Sequence, residues 1–223
     1  ARALLAFTTA WGLLAGEARG EPGPLEPGAV DARTVDVAVR QLDRRGGGRG
    51  AAPRRGPGGR RGWGLGLQAV AVHQLATDLD EAARYVDGSF ATIYLAPYNY
   101  HRVHAPLAGE LVAARYVPGD LFSVNSGTVA RVPGLFRRNE RLVLHFRTAA
   151  GPAVVILVGA LNVGSISTPW SGEIRPRRSG VVETVDLSAA PRETSKGDLL
   201  GWFNMGSTVI LLLPPDSCSW REN

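Results

Sequence analysis

The chain has 223 residues, a formal net charge of +5, 44% hydrophobic residues and a single cysteine, Cys218. That is enough apolar material for one domain with a real core, and one cysteine excludes both an internal disulfide and any multi-cysteine metal cage. The positive charge does not describe the folded body, because residues 44–62 (RRGGGRGAAPRRGPGGRRG) hold seven Arg and no acid, which leaves the rest of the chain net acidic by two charges.

The opening ARALLAFTTAWGLLAG predicts a packed helix or one lying on a membrane surface. Its apolar stretch, Ala3–Gly16, covers 14 residues, short of a comfortable bilayer crossing. Arg2 alone makes a poor basic region for a secretory signal. Residues 17–35 are turn-rich, so 1–35 reads as an N-terminal helix with an extended lead-in. The next segment, 36–77, is dominated by the Arg/Gly tract, which has no hydrophobic periodicity and cannot bury enough surface to fold. Such a tract could bind RNA or anionic lipid. The solvated, disordered loop is the preferred reading, and no nucleic-acid partner is assigned.

From residue 78 the pattern changes. DLDEAARYV (78–86) predicts a short helix with acids in its first turn. SFATIYLA (89–96) predicts a strand closed by Pro97, and GELVAARYV, ERLVLHFRT, AVVILVGALNVGSI, VVETVDL and STVILLL predict further strands, punctuated by Gly, Pro and Asn. Heptads, internal repeats and a βαβ rhythm are all missing. The expectation is a β-rich α+β fold: a compact, mostly antiparallel β domain with few short helices, spanning 78–223.

Three stretches carry possible chemistry. YNYHRVHAP places His101 and His104 three apart on an extended or turning segment, where two imidazoles point different ways and suit proton exchange near neutral pH. A structural His pair fits that pattern equally well. Zinc would need Cys218 or His73 as a third ligand and lacks the His-Glu-x-x-His helix, so no metal is assigned. YVPGDLFSVN and FRRNERLVLHF, taken alone, show ordered loops in which Asn139 and Glu140 cap a helix or pair with Arg as readily as they bind a ligand. Finally, KGDLLGWFNMGSTVILLL sets Gly197, Gly201 and Gly206 before Ser207. Gly206 permits backbone angles closed to other residues and could hold its carbonyl strained against the Ser207 hydroxyl. The plain alternative is a hairpin turn entering an edge strand.

Taken together and in order, YLAPYNYHRVHAP, YVPGDLFSVN, FRRNERLVLHF, ILVGALNVGSI and KGDLLGWFNMGSTVILL resemble the phosphatidylserine decarboxylase proenzyme family. The resemblance covers about residues 78–215. It implies self-cleavage between Gly206 and Ser207: the Ser207 hydroxyl attacks the Gly206 carbonyl to give an ester, and elimination and hydrolysis leave a pyruvoyl group derived from Ser207. That group would serve as the electron sink for decarboxylation, the role pyridoxal phosphate plays elsewhere. The resemblance further implies that His104 activates the serine and that His101 serves the decarboxylation step. The implied substrate is phosphatidylserine at a membrane surface, giving phosphatidylethanolamine and CO2. The implied location is peripheral, on the cytoplasmic side of the cell membrane. After cleavage the two chains would form a heterodimer, with a homodimer also open.

Two departures qualify this. The family draws the Asp of its self-cleavage triad from a Pro-x-Asp-Gly element well before the histidines. Here the Asp-Gly pair is Asp87-Gly88, beside the strand leading to HRVH, and the remaining candidates are Asp43, first in line, and Asp36. An out-of-frame reading of roughly residues 36–76 would account for both the lost motif and the Arg/Gly excess. Only 16 residues follow Ser207, and the chain does not begin with Met, so a fragment at both ends is expected. Competing readings are a relative acting on another lipid phosphoserine headgroup, and a degenerate, uncleaved, non-catalytic β domain. The chain as written is expected to stay largely uncleaved over hours.

Overall fold

The computed structural model describes residues 36–41, 49–50, 75, 79–161, 165–176 and 179–217. Within these, thirteen strands form two antiparallel sheets, joined by three short helices at Leu79–Ala83, Ser126–Arg131 and Leu135–Arg138. The strands are β1 (Asp36–Gln41), β2 (Arg49–Gly50), β3 (Ser89–Tyr94), β4 (Arg102–His104), β5 (Gly109–Val117), β6 (Arg141–Thr148), β7 (Gly151–Val158), β8 (Ile166–Thr168), β9 (Gly172–Ile174), β10 (Glu183–Thr184), β11 (Glu193–Thr194), β12 (Leu199–Phe203) and β13 (Thr208–Leu213). The large sheet runs β10-β5-β6-β7-β13-β3-β1-β2, with β11 also against β5, and the small one runs β4-β12-β8-β9.

Sequence pattern explains the arrangement. GPAVVILV in β7 and TVILLL in β13 are continuous apolar runs without alternation, the mark of strands covered on both faces. Every residue of β13 is buried. It lies between β7 and β3, in register Thr208↔Val158 on one side and Thr208↔Tyr94 on the other. The edge-strand alternative for this segment is therefore corrected: edge strands leave a row of backbone groups unpaired, and β13 pairs on both sides. The small sheet packs directly on this centre, since a Cβ at Gly201 in β12 would lie 3.3 Å from Leu157 Cδ2 of β7. Val103, Leu200, Phe203 and Ile166 of the small sheet join the same buried cluster as Ile93, Leu144, Ile156 and Leu211 of the large one. Burying each such side chain is worth roughly 1.5–3 kcal/mol.

The β-rich α+β reading matches this architecture. DLDEAARYV contributes a helix at Leu79–Ala83, while VVETVDL shrinks to the two-residue β10. Glu81 in that helix pairs with Arg115 of β5 at 3.0 Å. Asp36–Gln41, where no strand is expected, pairs along β3 from Asp36↔Tyr94 to Gln41↔Ser89. Most of 36–77 lies outside the described residues, as do Asp43, His73 and Cys218. Leu75, which is described, is fully packed in the core and its carbonyl accepts from Arg141 Nε at 3.4 Å. No helix among the described residues is long and apolar enough to cross a membrane.

Candidate active site

β12 ends at Phe203 in the small sheet and β13 begins at Thr208 in the large one, so Asn204–Ser207 is the crossing between two sheets rather than a hairpin. This crossing is clamped against the chain leaving β3. Leu95 N donates to the Ser207 carbonyl at 2.7 Å, continuing the β3–β13 ladder one step past Tyr94↔Thr208. A Cβ on Gly206 would lie 2.7 Å from both Ala96 C and Pro97 N, with the Leu95 carbonyl oxygen closer still. Glycine is required here by that approach. The left-handed backbone expected at this position is found instead at Gly197, whose φ is +100°.

Ser207 itself is fully buried, and its Oγ donates to the Val158 carbonyl across the β13–β7 pair. Thr208 Oγ1 beside it is buried without a hydrogen-bond partner.

His101 and His104 flank β4 and turn to different neighbours. His101 Nε2 lies 3.0 Å from the Ala96 carbonyl, which also accepts from Asn99 N at 2.8 Å. Asn99 returns the contact by accepting from Ala96 N at 2.7 Å, so the Ala96–Asn99 turn is fixed from inside. Because a carbonyl only accepts, His101 donates from Nε2 and keeps Nδ1 as its basic nitrogen when neutral. Gly206, Ser207 and His101 thus converge on the same three-residue stretch, Leu95–Pro97.

His104 takes another path. Its Nδ1 donates to the Gly197 carbonyl at 2.8 Å, and its Nε2 accepts from the Tyr100 hydroxyl at 3.0 Å. The left-handed Gly197 sits in a turn held by Ser195 N to Asp198 Oδ2 at 2.7 Å and Gly197 N to the Ala105 carbonyl at 2.9 Å. Burial holds the His104 pKa below its ordinary value, partly offset by the Gly197 hydrogen bond; Arg102 pushes the same way as burial and Asp198 opposes it. Neutral imidazole is the favoured form. In this arrangement Ser207 Oγ and His104 are each bonded elsewhere and not to one another.

Asp87 is removed from this site. With φ +64° it precedes Gly88 at the Ser89↔Leu213 end of the β3–β13 pair, a six-residue strand of about 20 Å away from Ser207. Asp36 stands at the near end, in the row Asp36, Tyr94, Thr208. Asn139 takes the capping role: it closes the Leu135–Arg138 helix, and its amide bridges Phe122 to the Gly159 carbonyl at 2.9 Å. Glu140 pairs with a tyrosine rather than an arginine, its carboxylate accepting from Tyr116 OH at 2.7 Å while burial raises its pKa. Tyr100 is the participant that sequence reasoning passed over, although it lies inside the quoted YNYHRVHAP. No group of three His, Cys, Asp or Glu among the described residues is placed to hold a metal.

Residues 65–223 match the model of the family described as phosphatidylserine decarboxylase. The proteins named phosphatidylserine decarboxylase proenzyme from Methylococcus capsulatus and Saccharophagus degradans are 50% identical over 147 residues and 48% identical over 149 residues respectively. These matches cover 66% and 67% of this chain but 51% and 52% of the relatives. The Alcanivorax borkumensis protein of the same name is 49% identical over 149 residues, or 67% of this chain and 51% of its own. The chain thus spans about half the length of the curated relatives it matches, and by a family match reaching across most of its residues, from the buried strand Ser89–Tyr94 to the Gly-Ser crossing and beyond, it belongs to the phosphatidylserine decarboxylase family.

Proposed function

We propose that this chain is a self-processing phosphatidylserine decarboxylase, cut between Gly206 and Ser207, with Ser207 the source of a pyruvoyl group. The observation that carries this reading is the clamped crossing: a buried serine hydroxyl beside a glycine whose flanks are pressed against Leu95, Ala96 and Pro97. Ser207 Oγ and the Gly206 carbonyl carbon hang on the same short N–Cα–Cβ chain, so rotation about χ1 moves the hydroxyl from the Val158 carbonyl to the scissile carbon.

In this reading His104 takes the Ser207 proton through Nε2, the nitrogen that its Gly197 contact leaves with a lone pair. The C–N bond breaks, the Ser207 nitrogen is protonated, and an ester links Ser207 Oγ to Gly206. Loss of Gly206 as a carboxylate by β-elimination and release of ammonia by water complete the change. The residues present fit the product group. It would form at the N-terminus of β13 on Thr208, whose buried hydroxyl has no partner, with His101 bonded to the same Leu95–Pro97 stretch that presses on Gly206. When formed, that group supplies a ketone that accepts the electron pair released as CO2 leaves. In this reading His101, whose Nε2 donates to the Ala96 carbonyl and leaves Nδ1 for a proton, protonates the substrate carbon afterwards. The substrate is phosphatidylserine presented at a membrane surface, the location is peripheral on the cytoplasmic side, and the two cleaved chains stay together because β13 is buried between β3 and β7.

The test is the mass of the purified chain during incubation at pH 7–8, beside Ser207→Ala. Cleavage is expected to be slow, over days, and to give a 17-residue peptide from residue 207 onward. The new N-terminus is pyruvoyl, CO2 is released from phosphatidylserine vesicles, and both are lost in Ser207→Ala. A wild-type chain that never splits favours the second reading, a degenerate and uncleaved member. The bonds that hold Ser207 to Val158 and His104 to Tyr100 support that alternative.

A further inference from the structure

Tyr100 lies four residues before His104, and the two rings stack at 5.8 Å between centroids with 10° between their planes. The Tyr100 hydroxyl is 3.0 Å from His104 Nε2. On the other side of the ring, Nδ1 is 2.8 Å from the Gly197 carbonyl. A carbonyl oxygen accepts and cannot donate, so Nδ1 carries the hydrogen and Nε2 presents its lone pair to the phenol.

We propose that Tyr100 is the positioning residue that locks His104 in its Nδ1–H tautomer and covers its basic nitrogen, so that self-cleavage proceeds only from arrangements in which Tyr100 has moved aside. This rests on the reading of Ser207 and His104 as the self-cleavage pair.

The surroundings support the lock. Burial raises the Tyr100 pKa, which keeps the phenol protonated as a donor, with Arg102 opposing. Burial lowers the His104 pKa, which keeps the imidazole neutral as an acceptor. The charged groups facing the pair are Arg102, whose guanidinium lies 5.9 Å over the Trp202 ring, and Asp198, one residue past Gly197. Neither supplies an alternative partner for Nε2 at hydrogen-bond distance. Covering the lone pair has two effects of opposite sign: it favours the neutral base that catalysis needs, and it withholds that base from Ser207. Well above the His104 pKa only the second effect remains. A hydrogen bond of ordinary net strength then reduces the open population about three- to tenfold.

Tyr100→Phe keeps the ring and its stacking and removes only the hydroxyl. In the full chain at pH 8, cleavage after Gly206 followed by mass is expected to run about three- to tenfold faster than in wild type. The rising limb of the pH profile should move to higher pH, because neutral His104 has lost a bond that its protonated form never had. A Tyr100→Phe chain that cleaves no faster than wild type overturns the proposal. A second measurement does not depend on cleavage. In the full chain carrying Ser207→Ala, long-range proton–nitrogen correlation spectra should show the Nδ1–H tautomer of His104, and adding Tyr100→Phe should raise its pKa. An Nε2–H tautomer, or a pKa that Tyr100→Phe leaves unmoved, overturns it equally. Failure of the self-cleavage reading itself shows separately, as a His104→Ala chain that splits at the wild-type rate.

Discussion

Ser207 Oγ donates to the carbonyl of Val158, the residue of β7 that pairs with Thr208. The hydroxyl is thereby satisfied in a fully buried position, and the β13–β7 ladder sets where it points. A buried hydroxyl without a partner costs about 1–3 kcal/mol, so this contact defines the resting rotamer.

The two histidines are expected to separate by function. His101→Ala should leave self-cleavage near the wild-type rate and lower decarboxylation by about 10²–10⁴, the usual worth of a positioned acid–base group. His104→Ala should stop the cleavage instead. Masses and CO2 release measured on the same preparations decide it, and equal loss of cleavage in both variants would refute the division of labour.

Of the acids left open by the sequence, Asp36 stands in the row of Tyr94 and Thr208, two strand spacings or about 10 Å from β13. The carboxylate that serves the self-cleavage would stabilise the imidazolium formed as His104 takes a proton. Asp36→Asn and Asp43→Asn, made separately, identify it: the variant whose residual cleavage slows carries that carboxylate. Wild-type rates in both variants over a cleavage time course would place the carboxylate elsewhere.

Gly206→Ala puts a methyl group 2.7 Å from backbone atoms of Ala96 and Pro97, and backbone cannot swing aside as a flexible side chain can. Overpacking of this kind costs about 1–3 kcal/mol. Chemical denaturation in a Ser207→Ala background isolates that cost from any effect on cleavage. An unchanged midpoint would show that the Leu95–Pro97 clamp yields freely.

His145 in β6 is buried, with Nδ1 2.7 Å from Glu81 Oε1. That contact is close but poorly aligned: neither ring nitrogen has a hydrogen-bond partner, and Glu81 already pairs with Arg115. Burial, helped by Arg115, pushes the His145 pKa down to about 4. The unfolded imidazole, near 6.5, binds its proton first, so this group's contribution is present above pH 6.5 and is lost as pH falls toward 4. The loss amounts to about 3 kcal/mol. Urea unfolding across this window should show it, and His145→Leu should flatten the dependence. A wild-type profile no steeper than that of His145→Leu would contradict the burial account.

Much of this protein is legible without coordinates. Continuous apolar runs such as VVILV and VILLL announce doubly covered strands, because only a central strand keeps both of its faces from water. The order of the HRVH and Gly-Ser-Thr segments likewise carries the family and the identity of its candidate residues. Tertiary structure alone decided the rest. That β13 is central, that residues 204–207 cross between sheets, and that Gly206 is required by the approach of Ala96 and Pro97 all depend on pairings some hundred residues apart. Sequence alone does not say which end of β3 Asp36 or Asp87 stands at, and strand register puts one at the Ser207 end and the other about 20 Å away. Tyr100 shows the same limit at short range: its place beside His104 follows from the turn at Ala96–Asn99 and from the Gly197 carbonyl, contributed by a turn 93 residues further along the chain. Local pattern encodes which faces avoid water, whereas the partner of a particular polar atom is settled only when distant segments pack and every buried donor must find an acceptor.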